Sequence, residues 1–179
     1  MNFALSVQDP RSSRRSKAGK LGEGPVDVQL AACRKKGIGI VFRVPNDWQV
    51  IGRRGHAVTA VPRRRSGPDY VGVLTGARPI ALEVKHVSAE FLKRGGLSAV
   101  RFPLENLEAH QLKDLEDFAA RGGLAFLCIV HGSPHLGGSF YLVPVEVVSR
   151  AVKANRPSLL SEDLDAYQIP KNQLLLEGL

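Results

Sequence analysis

Two apolar runs on either side of one glycine constrain most strongly how this chain can fold. The runs are DYVGVLT and RPIALEVKHV, and Gly76 lies between them. Their β-branched residues and alternating pattern predict two strands joined as a hairpin. Glu83 and Lys85 interrupt the second run, and alternation places both on one face of the strand. The other face, with Leu82 and Val84, is expected to face the core.

The hairpin predicts a pair of carboxylates. Asp69 and Glu83 each lie seven residues from Gly76, so a turn centred there places them opposite each other, with Cβ atoms about 4.5–5.5 Å apart. Two unpaired carboxylates would repel, so a cation is expected between them. Mg²⁺ is favoured because it prefers oxygen ligands and keeps several waters, with Mn²⁺ as a substitute.

These residues predict a chemistry. Asp69 and Glu83 would hold the metal, the Val84 carbonyl would add a ligand, and Lys85 would orient or activate water and stabilise charge on a phosphate. The pattern therefore predicts metal-dependent phosphodiester hydrolysis. The alternative is an exposed Glu83–Lys85 ion pair, which is common and contributes little to the stability of the fold.

Charge is unevenly distributed along the 179 residues, whose net charge is +8. Residues 1–66 contain 14 of the 25 Lys and Arg residues but only 4 of the 17 Asp and Glu residues. This favours an anionic partner such as nucleic acid, although a solvated basic tail would give the same pattern. We expect a flexible basic arm at 1–20, one domain at 21–156 and a C-terminal extension packed on it at 157–179.

The cysteines and the lengths of the apolar runs indicate the cellular environment of the protein. Cys33 and Cys128 are isolated in different segments, which argues against a disulfide framework or a structural zinc site. No apolar run is long enough to span a bilayer. These features predict a soluble cytoplasmic protein with no membrane association.

The remaining patterns predict an α/β fold. Helices are predicted at 23–37, at 107–121 with Asn106 as its cap, and at 145–153; strands at 38–44, 69–75, 78–87, 124–132 and 138–145; and a protruding hairpin at 45–62. The strand at 124–132 is nearly all apolar, as expected for a strand covered on both faces. Residues 157–179 are ambiguous.

A family resemblance extends this picture. PDYVGVLTGARPIALEVK resembles the Pro-Asp and (Asp/Glu)-x-Lys signature of the PD-(D/E)XK nuclease superfamily. Together with FPLENLEAHQLKDLEDFAARGGLAFLCIVHG, it is similar to RecU-type Holliday junction resolvases over residues 19–145. The resemblance implies a restriction-endonuclease-like core, with a mixed β-sheet flanked by helices and a protruding β-hairpin stalk at 45–64.

The resemblance also implies an activity and an assembly. A homodimer would place two active sites to make paired symmetric nicks in a four-way DNA junction, in a prokaryotic cell or a phage-infected host. The rivals are another endonuclease of the superfamily acting on linear duplex DNA, and a non-catalytic basic DNA-binding protein.

Site residues carry over from the resemblance position by position. It implies an active site of Asp69, Glu83 and Lys85 with an acidic residue on the first helix, for which Glu23 is preferred and Asp27 is the alternative. Gln111 interrupts an apolar helix stripe, and the resemblance places it beside the active site, where it would hold Lys85 or the water. A glutamine bonded to backbone at the stripe edge is the alternative.

Basic residues of the arm, the hairpin and two neighbouring segments are expected to contact DNA. They are Arg11, Arg14, Arg15, Lys17, Lys20, Arg53, Arg54, Arg63, Arg64, Arg65, Lys93 and Arg94.

Overall fold

A computed structural model describes residues 24–45, 48–54, 57–62, 67–87, 101–132 and 138–179. The strands are β1 (Gly39–Arg43), β2 (Trp48–Arg54), β3 (Ala57–Pro62), β4 (Tyr70–Leu74), β5 (Arg78–Val87), β6 (Phe102–Pro103), β7 (Leu124–His131), β8 (Ser139–Pro144), β9 (Ser158–Leu159) and β10 (Gln168–Ile169). The helices are α1 (24–35), α2 (Ala109–Ala120), α3 (Val145–Lys153) and α4 (Ser161–Leu164), with 3₁₀ turns at Leu104–Asn106 and Asp165–Tyr167.

Six strands form one mixed sheet in the order β1-β4-β5-β7-β8-β10. Within this sheet β5 and β7 pair in parallel, and the other neighbours pair antiparallel. The predicted mixed sheet flanked by helices is confirmed at this level. Strands β2 and β3 pair antiparallel as a separate two-stranded sheet, so a hairpin is present where one was expected, while its protrusion as a stalk stays a prediction.

Both faces of β5 are covered, because helices pack on both sides of the sheet. On one face Leu82 and Val84 pack in the cluster that contains Leu30 of α1. On the other face Ala81 packs with Leu115 of α2. The expectation of one core face and one charged face is therefore too simple, since the face that carries the charges is buried as well.

Helix α2 begins two residues later than predicted. The 3₁₀ turn before it is closed by Leu107, whose N–H donates to the Leu104 carbonyl at 3.0 Å, so this segment turns before the α-helix starts. Glu108 is the N-cap, and Asn106, the predicted cap, lies inside the 3₁₀ turn. The glycine stop signal is confirmed, because Gly122 follows the helix with a φ of 85°.

The ambiguous segment 157–179 packs onto the sheet. Strand β10 extends the sheet next to β8, and β9 pairs with β6. Leu175 and Leu176 are buried in the cluster on the α1 side. The predicted domain boundaries themselves stay a prediction.

The structure bears on two sequence features, the cysteines and the length of the apolar segments. Cys33 and Cys128 are both buried, free thiols. None of the helices in the described ranges is both long enough and apolar enough to cross a bilayer.

Candidate active site

The turn between β4 and β5 is centred on Gly76, as the count along the sequence predicts. The pairs run from Leu74 with Arg78 to Tyr70 with Leu82, and the next pair in this register is Asp69 with Glu83. Gly76 has a φ of 83°, a value that favours glycine. Asp69 lies just before β4, where its Oδ2 accepts a hydrogen bond from the Val84 backbone N–H at 2.8 Å.

Glu83 is a buried carboxylate with one satisfied and one unsatisfied oxygen. Its residue exposure is 1%. Oε1 forms an ion pair with Lys85 Nζ at 2.9 Å and accepts from Gln111 Nε2 at 2.5 Å. Oε2 is buried and has no hydrogen-bond partner in the described part of the chain. This burial excludes the alternative of an exposed Glu83–Lys85 pair.

The carboxyl groups are electrostatically perturbed. Burial, and then the nearby charge of Asp69, raise the pKa of Glu83 to about 7, although Lys85 opposes the shift. Burial also raises the pKa of Asp69, against the Val84 N–H and the positive charges of Lys85 and Arg43. Such perturbed carboxyl groups are typical of functional sites.

Gln111 connects helix α2 to the two charges of β5. Its Oε1 accepts from Lys85 Nζ at 2.9 Å and from the Glu108 backbone N–H at 3.0 Å, while its Nε2 donates to Glu83. The amide is thus fixed by the first turn of α2. The structure therefore brings Gln111 against both Lys85 and Glu83, in agreement with the predicted placement. The alternative of a glutamine bonded to backbone describes only its contact with the Glu108 N–H.

Asp27, the alternative for the acidic residue of the first helix, is not brought into this group. Asp27 lies on α1, where its Oδ1 accepts from the Tyr70 hydroxyl at 2.7 Å. Glu23 lies outside the described residues. The Val84 backbone N–H binds Asp69, while the ligand role of its carbonyl stays a prediction.

The DNA-binding prediction falls largely outside the described part of the chain. Arg53 and Arg54 belong to β2, whose backbone is described there without these side chains. Outside the described residues are Arg11, Arg14, Arg15, Lys17, Lys20, Arg63, Arg64, Arg65, Lys93 and Arg94. Their DNA contacts stay predictions.

Sequence reasoning missed Arg43 and Tyr70. The Arg43 guanidinium carbon lies 5.7 Å from the centroid of the Tyr70 ring, a cation–π distance. The two residues are register partners on β1 and β4. A basic residue at the end of a strand is a weak signal by itself, and only the pairing of β1 with β4 brings it to Tyr70.

The residues present fit a hard divalent cation. Two carboxylates converge, and one of them carries a buried oxygen that lacks a hydrogen-bond donor. Mg²⁺ is commonly held by one or two carboxylates and completes its coordination with water. In the described ranges no three His, Cys, Asp or Glu residues form a group that could hold a metal ion, so the described protein ligands would be Asp69 and Glu83.

Buried paired carboxylates beside a lysine and a glutamine define a candidate hydrolytic centre. Residues 19–176 match the family model described as Recombination protein U, RecU, and the chain belongs to this family. The family resemblance derived from the sequence motifs is therefore confirmed.

Two relatives carry the same family name. A Holliday junction resolvase RecU of Geobacillus thermodenitrificans (strain NG80-2) is 26% identical over 151 residues, covering 79% of this chain and 70% of the relative. A Holliday junction resolvase RecU of Geobacillus kaustophilus (strain HTA426) is 29% identical over 128 residues, covering 65% of this chain and 59% of the relative.

Proposed function

We propose that this chain is an endonuclease that resolves four-way DNA junctions by metal-dependent phosphodiester hydrolysis with paired symmetric nicks. Two relatives are named Holliday junction resolvases. The observation that carries the chemistry is the buried pair of Asp69 and Glu83, with Lys85 and Gln111 against it. A purely structural ion pair would not require a second carboxylate beside Glu83.

The carboxylates would hold Mg²⁺, or Mn²⁺, which takes the same oxygen ligands. When bound, this ion supplies Lewis-acid stabilisation of phosphate charge and lowers the pKa of bound water. Asp69 and Glu83 are the residues that would hold it. The hydrogen bond from Val84 N–H to Asp69 fixes one carboxylate, and Gln111 fixes the other.

Lys85 is the proposed group that acts on water and phosphate. An ammonium has three N–H donors, and Glu83 and Gln111 accept two of them in the described structure. The third can donate to a phosphate oxygen or to the attacking water. The Lys85 side chain retains 19% of its exposure, so the amine is held by the site without being fully closed off from substrate.

The partner and the assembly follow from this proposal. A resolvase cuts two strands symmetrically, and a two-fold homodimer is the simplest way to place two identical active sites. The basic residues of the arm and hairpin would bind the phosphates of the branched DNA. This substrate places the protein in the cytoplasm of a prokaryotic cell or a phage-infected host.

A cleavage assay tests the proposal. Purified protein is incubated with a labelled four-way junction or a linear duplex of the same arm sequence, in Mg²⁺ or in EDTA. We expect paired nicks in the junction only with Mg²⁺, and size measurement by light scattering should give a dimer. Equal cleavage of the linear duplex would favour the rival endonuclease reading and contradict junction resolution.

Asp69→Asn separates catalysis from binding. The variant should bind the junction as the wild type does but lose cleavage by at least about 100-fold, because it removes a proposed ligand while the phosphate contacts lie elsewhere. Asp165→Asn, at an exposed aspartate, is the matched control and should cleave normally. An Asp69→Asn variant that cleaves as fast as the wild type would refute the catalytic role of this carboxylate pair.

A further inference from the structure

Tyr70 connects three elements, β4, α1 and β1, next to the candidate site. It is the residue directly after Asp69 and is 1% exposed. Its hydroxyl donates to Asp27 Oδ1 of α1 at 2.7 Å. The contact joins residues 43 positions apart in the chain, so it fixes helix α1 against strand β4 at one defined point.

The ring of Tyr70 supports the end of strand β1. Arg43 lies over the ring at 5.7 Å, and the next residue, Val44, donates its N–H to the Asp69 carbonyl at 2.8 Å. The backbone of Asp69 is thus held by β1 while its neighbour Tyr70 is held by α1. The charge of Arg43 also acts on the Asp69 carboxylate.

Asp27 stands apart from the carboxylate pair. The described residues contain no three-membered group of His, Cys, Asp or Glu that could hold a metal, so Asp27 does not converge with Asp69 and Glu83. Tyr70 packs in the cluster on the α1 side of the sheet, and alternation places Asp69 on the other side. Oδ1 of Asp27 already accepts the Tyr70 hydroxyl.

We propose that Tyr70 is a positioning residue of the candidate site, which anchors α1 through Asp27 and supports Arg43 beside Asp69, and that Asp27 is the acceptor of this anchor and not a metal ligand. The catalytic part rests on the proposed function, whereas the anchor itself does not. The Tyr70–Asp27 hydrogen bond fixes the start of β4, directly after Asp69. Losing this bond therefore shifts Asp69 without removing any group of the site.

Conservative variants distinguish the two possible roles of Asp27, as acceptor of the Tyr70 hydroxyl or as metal ligand. Asp27→Asn retains an acceptor oxygen and should cleave the junction within about threefold of wild type at an unchanged Mg²⁺ requirement. Asp27→Ala and Tyr70→Phe should each lower kcat about tenfold with KM little changed, because a small misplacement of a reacting group is costly. The double variant should be no slower than the slower single variant. Loss of cleavage in Asp27→Asn, as in Asp69→Asn, would overturn the proposal.

A double-mutant cycle without metal or DNA tests the anchor independently of cleavage. Urea unfolding in EDTA should show a coupling between Tyr70→Phe and Asp27→Ala of at least about fivefold in the folding equilibrium constant. Tyr167→Phe, at a tyrosine packed in a different cluster, should combine additively with Asp27→Ala. Coupling below twofold for Tyr70 and Asp27 would overturn the anchor.

The two readouts distinguish the two failures. Coupling in the cycle with no cleavage by the wild type would retain the anchor and refute the proposed function. Normal cleavage with no coupling would refute the anchor and leave the function standing. If Tyr70→Phe does not fold, comparing Asp27→Asn with Asp27→Ala still tests the anchor. Asparagine keeps an oxygen that can accept the Tyr70 hydroxyl, whereas alanine does not.

Discussion

Replacing Glu83 with glutamine should change how the stability of the metal-free protein depends on pH. Burial and the charge of Asp69 raise the pKa of Glu83 from 4.5 to about 7. Each pKa unit corresponds to about 1.4 kcal/mol, so ionising Glu83 in the folded protein costs about 3 kcal/mol more than in the unfolded chain. The folded state therefore holds this proton more tightly than the unfolded state does.

The sign of the effect follows from proton binding. Below pH 4.5 both states are protonated and Glu83 contributes no penalty. Between about pH 4.5 and 7 unfolding releases the proton, so the free energy of unfolding falls as the pH rises. Above pH 7 the full penalty of about 3 kcal/mol is present. Glu83→Gln is neutral throughout and lacks this loss, so relative to wild type it should gain up to about 3 kcal/mol between pH 5 and 8.

Urea unfolding followed by far-ultraviolet circular dichroism in EDTA measures this difference. The free energies of unfolding of wild type and Glu83→Gln are compared at pH 5, 6, 7 and 8. Glu105→Gln removes an exposed glutamate and is the matched control, whose difference from wild type should not follow the same curve. If Glu83→Gln differs from wild type by the same amount at pH 5 and pH 8, the buried charge is not destabilising and the reasoning is refuted.

Three further predictions concern the metal, a thiol and a close backbone contact. Mg²⁺ at 100 times its dissociation constant should stabilise the wild type by about 2.7 kcal/mol, measured by thermal unfolding; an equal gain in Asp69→Asn would argue against the carboxylate site. Burial raises the pKa of Cys128 to about 12, so iodoacetamide should label this thiol only after unfolding, and labelling of the native protein at the unfolded rate would contradict its placement. A Cβ on Gly72 would lie 2.2 Å from the Ile40 carbonyl oxygen, so Gly72→Ala should lower the free energy of unfolding by about 3 kcal/mol. Gly67→Ala, where a Cβ meets no atom of the described residues within 4 Å, is its control, and equal urea midpoints for the two variants would refute the clash.

The carboxylate pair could be predicted from sequence because its geometry is local. A hairpin relates residues symmetrically about its turn, so counting from Gly76 is enough to place Asp69 opposite Glu83. Alternation likewise places Lys85 with Glu83, as their ion pair shows. The position of Gln111 needed the family resemblance as well, because the distance between a helix and a strand is not encoded in the helical period.

Contacts between distant elements could not be predicted in the same way. The hydrogen bond from Tyr70 to Asp27 joins a strand to a helix 43 residues away, and neither residue type identifies its partner. The burial of the charged face of β5 depends on α2 packing across it, which is a tertiary effect. The 3₁₀ turn before α2 shifted the cap because Leu104–Asn106 forms its own hydrogen-bonded turn.

The same physics explains why a central strand carries two charges. A buried ion pair with a fully bonded carboxylate would be a closed structural unit, but Glu83 retains a buried oxygen without a donor in the described residues, and Asp69 adds a second negative charge beside it. Lys85 and Arg43 both act on Asp69, but neither donates a hydrogen bond to the buried Oε2 of Glu83. Under the proposed function a divalent cation would bind this oxygen, so cation affinity should rise with pH as Glu83 ionises. Under that proposal, the cost of ionising Glu83 in the metal-free protein is offset when the cation binds.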